Sequence, residues 1–271
     1  MLFYRNNRED RAAGYQAVVE GNANPLQWLR FGILTAKSGD SPTTLRFEGE
    51  ETALVILTGT VAVSAGDQHW DRLGGRRSVF EAAGATVYVP ADMPFAVSAV
   101  SETAEMAVCR ARAQQGGEPF VVNPQEVRVA ARGQDHWHRQ VRDILTTNAD
   151  GRVQRLVVGE TINAGGEWSG YPPHRHQQQR EREEAAFEEL YYYRVNPSQG
   201  FGIQVHYGSR QNPDQAYIAR DGDVFAIPDG YHPVVAAGGY ALYYLWFMAG
   251  PGGRALVPYE DPAHRWVNSP A

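Results

Sequence analysis

Two stretches, GATVYVPADMPFAV (Gly84–Val97) and GDVFAIPDGYHPVV (Gly222–Val235), read as copies of one another. Each places a glycine, five residues and a proline ahead of a short turn that leads back into an apolar strand. Upstream of each lies an acid-led entry into a strand, EETALVILTGTVAV (Glu50–Val63) in the first half and EELYYYRVNPSQGFGIQV (Glu188–Val205) in the second. A unit that recurs along the chain predicts two similar β-barrels in tandem. Short β-rich runs bounded by Gly, Pro, Asp and Asn fill both halves, among them TVAVSAG, EMAVCRA, RLVVGETI and YALYYLWFMAG, a pattern of all-β sandwiches and barrels. The best helix signal is DHWHRQVRDIL (Asp135–Leu145), with Asp135 as candidate N-cap. The expected division is a first barrel over 1–115, a connecting segment with a short helix over 116–150, and a second barrel with its tail over 151–271.

A chain of 271 residues is long enough for two cores of ordinary size. A net charge of −6 with 43% hydrophobic residues gives no reason to expect nucleic acid or a membrane as partner, so a small molecule is the expected ligand. Exposed barrel edges make homo-oligomers a candidate state. Cys109 is the only cysteine and sits in an apolar run, which excludes an intrachain disulfide and fits a reducing cytoplasm. The N-terminal MLFYRNNREDRAAG is charged by its fifth residue and no long apolar run follows, so neither a signal peptide nor a membrane helix is expected. Lys37 is the only lysine and lies in the turn-like LTAKSGDSP, which argues against Schiff-base chemistry. No glycine-rich phosphate or dinucleotide loop is present, so no nucleotide cofactor is expected.

The two halves differ in residues that carry chemistry. The second contains His174 and His176 across one residue, Glu189 at the start of an aromatic strand, and His232 in the Pro-Asp-Gly turn; the first has Met93, Pro94 and Phe95 in that turn and no His-x-His. Strand residues two apart share a face, so His174 and His176 would point together, and Glu189 and His232 could join them from two further segments. Three imidazoles and one carboxylate hold a divalent transition ion with positions left open, zinc or manganese first, and iron, cobalt and nickel also compatible. A pair of exposed strand histidines is the competing reading. His136 and His138 have the same spacing but fall in the expected helix, where such residues diverge, and are read as packing or surface residues. Counting by twos from Glu189 puts Tyr191 and Tyr193 on the ligand face, with core packing as the alternative. Gln204 and His206 share a face of FGIQVHYG and join Tyr191 and Tyr193 as catalytic candidates. Arg194, Tyr244 and Trp246 are candidates for substrate contact, Arg194 against the alternation that points it outward. His264 is given no catalytic role. The charged 177–188 segment is a lid or a solvated loop.

These elements resemble the cupin superfamily, whose motifs carry His-x-His, a glutamate and a final histidine. The spacing departs from the usual one: twelve residues separate His176 from Glu189, and only Tyr231 separates Gly230 from His232. An insertion in a surface loop absorbs the first departure at small entropic cost. GETINAGGEWSGYPPHRH, EELYYYRVNPSQGFGIQ, DGDVFAIPDGYHPVVAAGGYALYYLWFMAGP and DPAHRW in the second half, with VFEAAGATVYVPADMPFAVSA and MAVCRA in the first, are similar to the bacterial 5-deoxy-glucuronate isomerases of myo-inositol breakdown. The resemblance implies a bicupin that converts 5-deoxy-D-glucuronate, a sugar acid, to 5-dehydro-2-deoxy-D-gluconate, with a ligand set of His174, His176, Glu189 and His232. It also implies Glu189 rather than Glu188 as the acidic ligand. The alternatives are a related uronate ketol-isomerase of pectin breakdown, an iron-dependent cupin dioxygenase and a non-catalytic sugar-binding cupin.

Overall fold

Alternation along the strand Glu188–Asn196 organises the second half of the molecule. Tyr191, Tyr193 and Val195 point into one apolar cluster, whereas Leu190 and Tyr192 point into another. With both faces buried, the strand reads as a continuous apolar run instead of an alternating one. The first cluster is the interior of the second barrel. The other also takes Phe31, Ile33, Val55 and Cys109 from the first barrel and Phe247 and Leu245 from the second, so it is the seam between the barrels. A third cluster, with Leu34, Ile56, Val63 and Met106, fills the first barrel.

The structure, a computed structural model, describes residues 1–6, 12–21 and 24–268. The charged stretch from Asn7 to Arg11 used in the N-terminal reading lies outside the described residues. Each half contributes a large antiparallel sheet to the seam and a smaller sheet to the far wall of its barrel. In the first half the strands Glu50–Thr58, Thr103–Arg112 and Leu29–Lys37 form the centre of the large sheet. Their counterparts in the second half are Glu188–Asn196, Ala241–Ala249 and Val157–Asn163. The two tandem all-β barrels expected from the repeat, the bicupin that the resemblance implies, are the fold observed.

Two corrections concern the segments between the barrels. The helix expected over Asp135–Leu145 is a single 3-10 turn, Asp135–Trp137, followed by a strand, Arg139–Leu145. That strand pairs with Arg128–Arg132 on one side and Val157–Asn163 on the other; two ladders and the buried Val141 and Ile144 outweigh a local helix signal. The 116–150 segment is therefore shared between the two sheets and not a connector: Phe120–Val122 belongs to the first barrel, and Arg128–Arg132 and Arg139–Leu145 belong to the second. Chain ends are also exchanged: Phe3–Tyr4 pairs with Val224 and Phe225 of the second barrel, in the position that Phe120–Val122 takes beside Thr86–Tyr88 of the first.

Polar bolts cross the seam. Glu160, fully buried, accepts from Arg76 of the first half (2.7 Å), from Arg142 (3.2 Å) and from the Tyr243 hydroxyl (2.9 Å). Glu51 accepts the backbone N–H groups of Gln154, Arg155 and Leu156, and Glu188 reciprocates with those of Gln27 and Trp28. Among the described residues no helix is long and apolar enough to cross a membrane.

Candidate metal centre

Three segments converge at one end of the second barrel. Glu189 is the second residue of Glu188–Asn196 and faces the interior; Glu188 beside it turns to the seam, as alternation requires. His232 is delivered by the Pro228–Gly230 turn. Gly230 has φ +83°, and a Cβ there would stand 2.7 Å from His206 Nε2, so the turn needs glycine on both counts. His176 follows the two-residue strand His174–Arg175.

The ligating atoms of His176, Glu189 and His232 all lie within 4.8 Å of one another, and all three residues are buried. His176 Nε2 is 2.9 Å from Glu189 Oε2. His232 Nε2 is 3.1 Å from the same oxygen, yet lacks an aligned hydrogen bond. The opposite ring nitrogens are engaged by main chain: Nδ1 of His176 donates to the Phe187 carbonyl (2.8 Å) and Nδ1 of His232 to that of Gly230 (2.9 Å). A carbonyl oxygen only accepts, so each Nδ1 carries a proton and each Nε2 faces the carboxylate. This orientation by an outer acceptor is what a metal-binding imidazole needs. Burial opposes ionisation of Glu189, but the hydrogen bond with His176 and the close approach of the His232 imidazole outweigh it and hold the carboxyl at about 2. Burial also opposes protonation of His176, and the bond to Glu189 prevails and raises it.

His174 stands beside this group, outside the 4.8 Å limit that joins the other three. Its ring centroid is 5.1 Å from that of His232 and 6.3 Å from that of His176. The paired strand ends at Arg175, so the two-residue periodicity that would align His174 with His176 does not extend to His176. Burial, then the neighbouring His232 and His176, bring the His174 imidazole down to about 3.

A cleft of about 380 Å³ opens on the group. Tyr191, Tyr244 and Trp246 wall it; the Tyr244 hydroxyl donates to Ser169 Oγ (2.8 Å) and Trp246 Nε1 to Thr161 Oγ1 (3.1 Å). Burial, then Glu189, pushes the Tyr191 hydroxyl well above its ordinary value, which keeps it a proton donor. Four expected residues do not reach this cleft. The Tyr193 hydroxyl donates to Gln204 Oε1 (2.7 Å), and Gln204 Nε2 donates to the main-chain oxygens of His232 and Pro233. His206 is fully buried against Phe225, with Nε2 bonded to the Asp229 carbonyl. Arg194 projects into the seam, where Asp221 (2.9 Å) and Glu105 (3.2 Å) bind it; strand alternation turns it away from Tyr191 and Tyr193.

Other lining residues were not singled out from sequence. Arg139 belonged to the expected helix, and Glu260 comes from the C-terminal tail, which crosses the cleft by pairing Tyr259–Glu260 with His174–Arg175. The 177–188 segment is folded around Glu184, fully buried, which accepts from the backbone of Gln177 and Gln178 and from Arg175; of this segment only Phe187 lines the cleft. Among the described residues the first barrel has no such group, and its strand positions show why. Thr52 pairs with Val89 and Arg110 as Glu189 pairs with Ile227 and Met248, so threonine stands at the position of the carboxylate. Leu54 and Ile56 occupy the positions of Tyr191 and Tyr193, and apolar side chains fill the space.

The donor set suits a divalent transition ion: two buried imidazole nitrogens fixed toward one ionised carboxylate, one of them without an aligned partner. Comparisons with known proteins agree with the fold. A 5-deoxy-glucuronate isomerase from Geobacillus kaustophilus is 38% identical over 244 residues, 89% of this chain and 86% of that protein. One from Bacillus subtilis strain 168 is 35% identical over 250 residues, 92% of this chain and 91% of its own. The crystal structure of an IolB-like protein from Salmonella typhimurium LT2 superposes with a TM-score of 0.90 at 33% identity, covering 99% of this chain and 100% of the other. An oxalate decarboxylase from Lactobacillus farciminis shares the fold at TM-score 0.66 and 13% identity, over 100% of this chain and 91% of its own. The KduI/IolB family is matched over residues 2–267, and with these relatives that match shows that the chain, with its duplicated barrel and histidine–carboxylate group, belongs to the KduI/IolB family.

Proposed function

We propose that the cleft of the second barrel carries the reaction of a 5-deoxy-glucuronate isomerase, the shift of 5-deoxy-D-glucuronate to 5-dehydro-2-deoxy-D-gluconate. The protein is an isomerase of the aldose–ketose type, as its relatives are. The observation that carries the placement is the convergence of His176, Glu189 and His232, each imidazole locked with Nε2 inward. These three residues would hold a divalent ion, zinc or manganese first by the donor chemistry, with His174 as the adjacent fourth donor. Such an ion supplies Lewis acidity to neighbouring carbonyl and hydroxyl oxygens.

The chain's own groups account for the proton. Glu260 is the one cleft-lining acid besides Glu189 among the described residues, and it takes the proton from C2 of the sugar and returns it to C1. The Tyr191 hydroxyl gives its proton to the aldehyde oxygen on which charge develops and recovers one from the C2 hydroxyl as that oxygen becomes the ketone, so both protons are accounted for. Tyr244 and Trp246 pack the carbon chain and exclude water.

The test pairs elemental analysis with turnover. Purified protein is expected to hold about one metal per chain, lose conversion on chelation and regain it on readdition, a ratio that follows from one group of ligands. His176→Ala should abolish metal and activity together. Glu260→Gln should keep the metal and lower kcat by about 10²- to 10⁴-fold. Full turnover by the chelated enzyme would overturn the metal role, and unchanged kcat in Glu260→Gln would remove that residue as the proton carrier.

A further inference from the structure

Arg132 and Arg139 face one another directly across the antiparallel strands Arg128–Arg132 and Arg139–Leu145, and both line the cleft. Like charges in that register repel. Arg132, half-exposed, has Asp143 at 3.3 Å. Arg139 is different: among the described residues no carboxylate pairs with it, and its recorded bond runs from Nη1 to the Trp137 carbonyl (3.1 Å). Buried arginines elsewhere in the molecule have acids, as Arg76 and Arg142 have Glu160 and Arg194 has Asp221.

The guanidinium is also held in place. Gly133 has φ +84°, and a Cβ there would collide with the Trp137 carbonyl and with Arg139 Nη1, so the 133–138 turn closes tightly around the arginine. Burial pushes the Arg139 guanidinium down from its ordinary value, the sign of a cation partly removed from water without a compensating anion. A rigid, partly desolvated guanidinium with free donors is a ready partner for a planar carboxylate.

We infer that Arg139, supported by Arg132, forms the subsite for the carboxylate of a sugar acid, with the aldehyde end directed toward His176, Glu189 and His232. This takes the role that Arg194 was expected to fill, and it rests on the isomerase reading for the identity of the acid. Arg139 thereby selects uronates over neutral sugars.

Arg139→Met and Arg139→Lys are compared with wild type on 5-deoxy-D-glucuronate and on its analogue with a hydroxymethyl group in place of the carboxylate, with metal content as the check on folding. Arg139→Met should raise KM for the uronate about 10- to 100-fold, the loss of one charge-assisted pair, with kcat and the neutral analogue little affected. Arg139→Lys keeps the charge and should recover part of the loss; it carries the comparison if the methionine variant fails to retain metal. Equal losses on both substrates, or an unchanged KM, would overturn the subsite. If wild type does not isomerise the uronate, only the proposed reaction falls. Calorimetry with D-gluconate against D-glucitol then decides: weakening of gluconate alone by about tenfold or more in Arg139→Met sustains the subsite, and equal binding of gluconate by both proteins refutes it.

Discussion

Protonation of single residues sets how the metal-free centre responds to acid. The ordinary imidazole value for His174 is 6.5, and burial beside His232 and His176 lowers it to about 3. Between those values the unfolded chain binds a proton that the folded chain refuses, so stability falls as pH drops. Glu189 acts in the same direction: its carboxyl falls from 4.5 to about 2, against its burial, because it is hydrogen-bonded to His176 and lies beside the His232 imidazole. Its contribution is present above 4.5 and is lost as pH falls through about 2. His176 is raised, so its contribution is present in acid and fades as pH rises. Below pH 4.5 only the first two act. Urea unfolding of chelated protein should therefore show its steepest loss of stability below that pH, with a shallower slope in Glu189→Gln. An unchanged slope in that variant would contradict the assignment.

Behind the metal ligands, one strand positions the next. Gln204, in Gly202–His206, donates to the carbonyls of His232 and Pro233 and accepts from Tyr193 of the neighbouring wall. It thus fixes the turn on which His232 sits without touching the cleft. Gln204→Ala leaves two carbonyls and a hydroxyl to find new partners. Metal affinity should fall about 10- to 100-fold, the usual consequence of losing an outer hydrogen-bond partner of a ligand. Competition with a chelator measures this directly, and unchanged affinity would show that the turn is held by its glycine and backbone alone. The tail Tyr259–Glu260 has a comparable role toward His174–Arg175.

Across the whole molecule, the first barrel matters through the seam. Its interior is filled by apolar side chains and holds Thr52 where the second barrel has Glu189. Its outer face supplies half of a shared core, along with Arg76 and Glu51. Removing the Glu160 carboxylate leaves two buried guanidiniums without their anion. Glu160→Ala should cost about 3–5 kcal/mol, the range for breaking a buried charge network from one side, visible as a lower thermal midpoint. Metal content at low temperature should be retained, because Glu160 points into the seam and not the cleft. A midpoint equal to that of wild type would show that the shared apolar core alone joins the barrels.

Local pattern was enough for the parts of this protein that depend on one strand or one turn. The duplicated Gly-x5-Pro unit predicts the two barrels, the family resemblance selects Glu189 over Glu188, and alternation counted from Glu189 points Arg194 away from Tyr191. The His-x-His and the Pro-Asp-Gly-Tyr-His turn mark the residues that meet. Periodicity fails where an element ends early: His176 leaves its strand after Arg175, so His174 stands beside the group instead of within it. Propensity fails over Asp135–Leu145, where pairing on both edges makes a strand of a helix-like sequence. That change alone brings Arg139 opposite Arg132 and into the cleft. Glu260 reaches the same cleft by pairing with His174, far earlier in the chain, in the strand His174–Arg175. No local pattern records such a pairing, because its energy comes from contacts that exist only once the two barrels and the tail have folded together.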